Sequence, residues 1–214
     1  MKIVVFAEGY NDGIFFREFI KQILYAPACE QIDFFIPAEN TLNDCLKHAD
    51  STRVRRFLQG TSPYKILAKC EGGKGKAVAM FKEFSVALLD CPNTKIILCV
   101  DLDHRDKNNP RESFDKLLKK IGHNLSSRRL KIECENIEQN QSVMVSRIAV
   151  FIGDDSKKSF LRNKTFLIMA FISSLENETG IIKGDKEEQR CKKIATYVKK
   201  NKDSILSPCC RLFQ

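Results

Sequence analysis

No two of the chain's nine cysteines stand in a CxxC pair. An odd count without zinc-ligand spacing argues against both a disulfide framework and a structural zinc site. Cys70 and Cys99 fall inside apolar runs and read as small core hydrophobes. A redox or metal role for the adjacent Cys209 and Cys210 stays open. No apolar stretch reaches the roughly 18 residues that cross a bilayer, so no membrane association is expected. The opening MKIVVFAEG has neither the long hydrophobic core nor the small-residue cleavage site of a secretory signal. These gaps together predict a cytoplasmic protein. Acidic residues are also in deficit, 27 against 36 Lys and Arg, giving a formal charge of +9. That excess suits a polyanionic partner, because lysines and arginines gain affinity for phosphates by releasing counterions. The plainer alternative is a lysine-rich surface serving solubility.

The 214 residues suffice for one well-buried core. Residues 3–7 (IVVFA) form a continuous apolar run, the pattern of a strand covered on both faces. A helix follows, carrying Phe15, Phe16, Phe19, Ile20, Ile23 and Leu24 on one side. Residues 33–37 are a short strand candidate, and Thr41 can cap a helix carrying Leu42, Leu46, Val54, Phe57 and Leu58. Strands are expected at 64–70 (YKILAKC) and 95–100 (KIILCV), with helices at 77–89 and 111–121. Further strands are expected at 130–137 and 145–152, and helices at 160–175 and 186–200. Strands alternating with helices argue an α/β fold. The expectation is a Rossmann-like, mainly parallel sheet flanked by helices over residues 1–125. Residues 126–214 would be an extension of further strands and helices packed on that core.

The strand ends are acidic in turn. Glu8 follows the first strand and Glu71 the one ending at Cys70; Asp101 and Asp103 follow KIILCV, and Asp154 and Asp155 end VSRIAVFI. Ligands of open parallel sheets sit outside the carboxyl ends of the strands. Residues at i and i+2 of an extended backbone face the same side, so Asp101 and Asp103 can address one site if the extension persists past Val100. Hard carboxylate oxygens suit Mg²⁺ or Mn²⁺, which complete their shells with water and substrate phosphate. Aspartate after a strand also caps turns, and Asp154 and Asp155 read first as caps of a helix beginning near Ser156, with a metal role as the alternative. His104 follows the aspartates and can assist or simply sit in an exposed loop. The stretch EGGKGK, residues 71–76, does not match the GxxxxGK[ST] phosphate loop. Its glycine turn, Gly73 included, and its Lys74 and Lys76 at a helix start can still hold a phosphate, or form a plain strand-to-helix turn.

A strand ending in Glu-Gly, here VVFAEGYND, and a later strand ending in Asp-x-Asp, here IILCVDLD, resemble the Toprim domain of topoisomerases, primases, OLD-family nucleases and ribonuclease M5. KILAKCEGGKGKAV is similar to that family's second core strand and its glycine turn, in the style of the OLD-type and small stand-alone versions. The resemblance covers roughly residues 1–125. It implies Mg²⁺-dependent phosphodiester chemistry. Glu8 would be general acid/base or metal ligand, Asp101 and Asp103 the metal-binding pair, and Asp12 the acid that follows Glu-Gly in many members. Strand-passage, zinc-binding and ATPase modules are missing, which leaves a small nuclease acting on DNA or RNA as the expectation. The alternatives are a non-catalytic nucleic-acid or nucleotide-binding module, working with a partner protein or as a homo-oligomer, and a phosphotransfer enzyme on a small nucleotide.

Overall fold

A computed structural model describes residues 2–23, 32–35, 56–57, 59–61, 66–91, 93–103, 109–126, 129–152 and 165–201. Its seven strands are β1 (Lys2–Ala7), β2 (Ile32–Phe35), β3 (Ile66–Cys70), β4 (Thr94–Asp101), β5 (Leu130–Gln139), β6 (Val143–Ile152) and β7 (Thr165–Phe171). Its helices are α1 (Tyr10–Ile23), α2 (Lys74–Leu89), α3 (Pro110–Ser126), α4 (Leu175–Thr179) and α5 (Glu187–Lys200). The strands lie in one sheet in the order β2-β3-β1-β4-β7-β6-β5. The first five run parallel; β6 and β5 close the sheet antiparallel. The fold is therefore α/β with a mixed, mostly parallel sheet.

The unbroken apolar run of β1 follows from coverage on both faces. Val4 and Phe6 pack with Val78 and Phe81 of α2 and with Phe114, Leu117 and Ile121 of α3. Ile3, Val5 and Ala7 point the other way, toward α1 and α5. On that second face Phe15 meets Phe171 edge-on at 5.0 Å and stacks near Phe19 at 5.6 Å. Each such ring pair adds about 1 kcal/mol beyond its area burial. The edge strand β5 alternates instead, with charged residues outward, which blunts its free edge against pairing with another chain.

The placement of α1 and α3 singles out one edge of the sheet. The chain leaves β1 toward one face and leaves the adjacent β4 toward the other. Two neighbouring parallel strands whose continuations diverge open a crevice at their carboxyl ends. Glu8 and Asp101 stand at its two sides.

One expected element is corrected. The pattern over 160–175 predicts a helix, yet residues 165–171 (TFLIMAF) are strand β7, hydrogen-bonded between β4 and β6. A run that is apolar almost throughout carries no usable period, and its β-sheet neighbours decide its conformation. The other expected strands and helices with described residues occur within a few residues of their predicted bounds, α3 running on to Ser126. Of the predicted helix after Thr41, Phe57 is described, helical and buried; residues 42–55, the pair Cys209 and Cys210, His104, Asp154 and Asp155 lie outside the described residues. Cys70 and Cys99 are buried in the core, as expected. Among the described residues no helix is long and apolar enough to cross a membrane.

Candidate functional site

The sheet ladder carries Glu8 to its place. Ala7 stands opposite Cys70 on one side and Cys99 on the other, and the Glu8 N–H continues the ladder to the Cys99 carbonyl at 3.1 Å. The Glu8 carbonyl accepts the Gly73 N–H at 2.7 Å. That contact needs the turn after β3 to fold back on β1. Gly72 and Gly73 make the turn at φ of 72° and 139°, conformations in which a side chain would be strained.

Glu8 Oε2 accepts the Asp101 N–H at 3.2 Å, and the carboxylate also receives the Lys74 N–H. Glu8 thus supplies the negative charge that the first turn of α2, which has no acidic residue of its own, would otherwise lack. Burial raises the Glu8 pKa, partly offset by the Asp101 N–H and the Lys74 cation, and the Asp103 charge adds to the rise.

Asp101, the last residue of β4, is 7% exposed. Its Oδ1 accepts the Leu175 N–H at 3.2 Å, tying β4 to the start of α4. Asp12 lies in the first turn of α1 and is 4% exposed. Its Oδ2 accepts the Gly9 N–H at 2.8 Å; its buried Oδ1 has no hydrogen-bond partner. Beside it, Asn11 Nδ2 donates to Glu176 Oε1 at 2.7 Å. Glu176 belongs to the first turn of α4, so α1 and α4 bring a fourth carboxylate to the crevice.

Asp12 and Asp101 feel the charges of Glu8 and Glu176. Burial, then the charges of Glu176 and Glu8, push the Asp12 carboxyl up to about 8 against the opposition of the Gly9 N–H. Burial, then Asp12, Glu8 and Glu176, push Asp101 up to about 9. Like charges that close in a low-dielectric setting cannot all ionise without a cation between them. The hard oxygen donors and the orphaned Asp12 Oδ1 suit a divalent ion such as Mg²⁺ or Mn²⁺ in kind. Among the described residues, no three such side chains are already drawn together as a formed cage.

The structure redistributes the remaining sequence candidates. β4 stays extended through Asp101; at Asp103 a φ of 53° turns the chain, and its carboxylate, 65% exposed, pairs with the Lys74 ammonium while its charge still reaches Glu8. The same ion pair gives Lys74 a protein partner where a phosphate was expected. Lys76 is exposed on the first turn of α2. Glu71 is drawn away beneath α2, where it forms a buried ion pair with Lys69 at 2.8 Å. Lys69 is 1% exposed, and its ammonium lies 5.7 Å from the centre of the Phe84 ring.

Glu176 is the residue that sequence reasoning missed. The signal was present in SSLEN: Ser174 accepts the Asn177 N–H as an N-cap, marking a helix start directly after an apolar strand, with an acid in its first turn. No protein-family model matches the chain, and neither a curated protein nor a solved structure matches it.

Proposed function

We propose that this chain is a Mg²⁺- or Mn²⁺-dependent enzyme that hydrolyses nucleic-acid phosphodiesters. The observation that carries the reading is the crowding of Glu8, Asp12, Asp101 and Glu176 at the β1–β4 crevice, with an unpartnered buried oxygen on Asp12. Buried carboxylates that raise one another's pKa, set in a cleft, mark functional sites more often than structural ones. The resemblance of VVFAEGYND and IILCVDLD to the Toprim motifs supplies the class of chemistry. The strand order and the helices on both faces support a Rossmann-like, Toprim-like reading. The +9 charge favours a phosphate-rich substrate.

In this reading Asp12, Asp101 and Glu176 would hold the ion, with Glu8 at its edge. A bound divalent ion would polarise the phosphodiester and lower the pKa of an attacking water. Glu8 is half-buried and fixed by two backbone N–H groups, and burial raises its pKa, the direction that favours a proton-transfer role. Asn11 orients Glu176, and Asp101 is oriented by the Leu175 N–H. Lys74, released from Asp103, would be free to meet a substrate phosphate.

The test is cleavage of end-labelled single- and double-stranded DNA and RNA with and without Mg²⁺ or Mn²⁺. Metal-dependent cleavage lost in Glu8→Gln and Asp101→Asn supports the proposal. Tight, metal-independent binding with every polymer left intact sinks it. That outcome selects the second reading, a nucleic-acid-binding module acting with a partner, which draws on the missing cage among the described residues.

A further inference from the structure

Between α4 and α5 the molecule carries a groove of about 510 Å³. Lys192, Thr196 and Lys200 of α5 line one wall; Thr179 and Glu178 of α4 and Ser142 from the β5–β6 turn line the other. The three α5 residues recur every four positions, so they form one row along the helix. Eight residues separate the two lysines, about 12 Å of helix axis. Both lysines and Thr196 are exposed. Glu178 accepts the Ser142 hydroxyl at 2.7 Å. The neighbouring Lys193 is committed to Asp185 and the Gly180 carbonyl.

The lining decides the occupant. Small-molecule pockets are walled mainly by apolar side chains; this one offers hydroxyls, an amide, ammonium groups and the Glu178 carboxylate, which the Ser142 hydroxyl engages. Its one aromatic residue, Tyr197, is buried at 8% exposure and presents no ring for a base to stack on. A surface of this kind holds phosphates and sugars without reading sequence. Its position matters as much: α4 is only five residues long, with Glu176 at the carboxylate crevice and Thr179 in the groove, three residues or roughly 5 Å further on.

We infer that the α4–α5 groove is the track for the sugar-phosphate backbone of a single nucleic-acid strand, held by Lys192 and Lys200, whose continuation reaches the carboxylate crevice. The inference deepens the proposed function and rests on it for the nature of the polymer.

The experiment measures anisotropy of a labelled single-stranded 12-mer in EDTA, so binding is read without cleavage. The double variant Lys192→Glu/Lys200→Glu is expected to lose at least about tenfold in affinity, and its salt dependence to become shallower by about 1.4 in log–log slope, two contacts at about 0.7 each. The charge-matched variant Lys116→Glu/Lys119→Glu on α3, on the opposite face of the sheet, is expected to stay within about twofold. Equal losses in both variants, or none in the first, overturn the groove. Displacement of the strand by an acidic polypeptide at equal charge concentration also overturns it, in favour of a protein partner. A chain that binds through the groove yet never cleaves removes the proposed hydrolysis and leaves the groove standing. A chain that cleaves while the groove variant binds normally does the reverse.

Discussion

Glu8 and Asp101, 93 positions apart in the chain, are joined through a single hydrogen bond, from the Asp101 N–H to Glu8 Oε2 at 3.2 Å. The side chain of Asp101 passes the connection on to the Leu175 N–H. Three elements, β1, β4 and α4, are thereby pinned at one edge by two carboxylates, of which Glu8 feels the Lys74 cation.

The Glu8 contact predicts a separation of fold from activity. Glutamine keeps an oxygen for the Asp101 and Lys74 N–H groups while removing a charge from a crowded cluster. Glu8→Gln is expected to melt at or above the parent temperature and to lose at least about 100-fold in cleavage rate, the usual size of a general acid–base contribution. Thermal melts alongside single-turnover cleavage check it; a variant that melts far lower shows a structural role instead.

Protonation of the cluster predicts how stability depends on pH. Asp12 and Asp101 have ordinary values near 3.8 and native ones near 8 and 9. Between those limits the folded chain binds more protons than the unfolded one, so stability falls as pH rises, by up to about 1.4 kcal/mol per pH unit for each group. The contribution is complete below pH about 4 and lost as pH passes 8 to 9. Melting temperatures in EDTA from pH 5 to 9 are expected to decline. Added Mg²⁺ or Mn²⁺ should stabilise more at pH 9 than at pH 6, because the ion competes with protons. A flat profile with no metal effect counts against the site.

Glu176 and Asp103 are predicted to exchange the importance that sequence reasoning assigned them. Glu176→Gln removes a charge that both Asp12 and Asp101 feel, and Mn²⁺ affinity is expected to fall by about tenfold or more, in the range seen when groups around a metal are altered. Asp103→Asn breaks an exposed ion pair worth at most about 1 kcal/mol and should affect Mn²⁺ binding less. Calorimetric titration with Mn²⁺ ranks the two; the opposite order restores Asp103 as a ligand.

The Lys69–Glu71 pair predicts an asymmetric double mutant. Lys69→Met removes the cation paired with a buried carboxylate and is expected to destabilise by about 3 kcal/mol, whereas Lys69→Met/Glu71→Leu should recover most of that loss. Urea unfolding of the three variants checks it; equal losses in the single and double variants would show that packing against Phe84, not charge, dominates.

What the sequence revealed divides along physical lines. Glu8 and Asp101 were legible because a continuous apolar run that stops on a carboxylate marks the carboxyl end of a buried parallel strand. The pairing of Asp103 with Lys74 was not legible because it depends on one backbone angle, a positive φ that a non-glycine residue rarely adopts. Glu71 was misread because Lys69, two residues earlier, faces the core, and an alternation argument does not anticipate a lysine there. Glu176 was hidden by β7: TFLIMAF fits helix and strand alike until the open edge of β4 selects the strand. The partner of Asp101 in the ladder is Phe171, and only that pairing brings the start of α4 over the crevice.

The insertion of β7 between β4 and β6 has a consequence for biosynthesis. The β5–β6 hairpin emerges from the ribosome before the strand that joins it to β4. Until residue 171 is made, the edge of β4 from Ile97 to Asp101 has no neighbour on that side, and neither does β6. Such unpaired apolar edges recruit other chains. A fragment ending at residue 152 is therefore expected to aggregate where the 214-residue chain does not. The nascent protein would be most in need of a chaperone during the synthesis of the residues that separate β6 from β7.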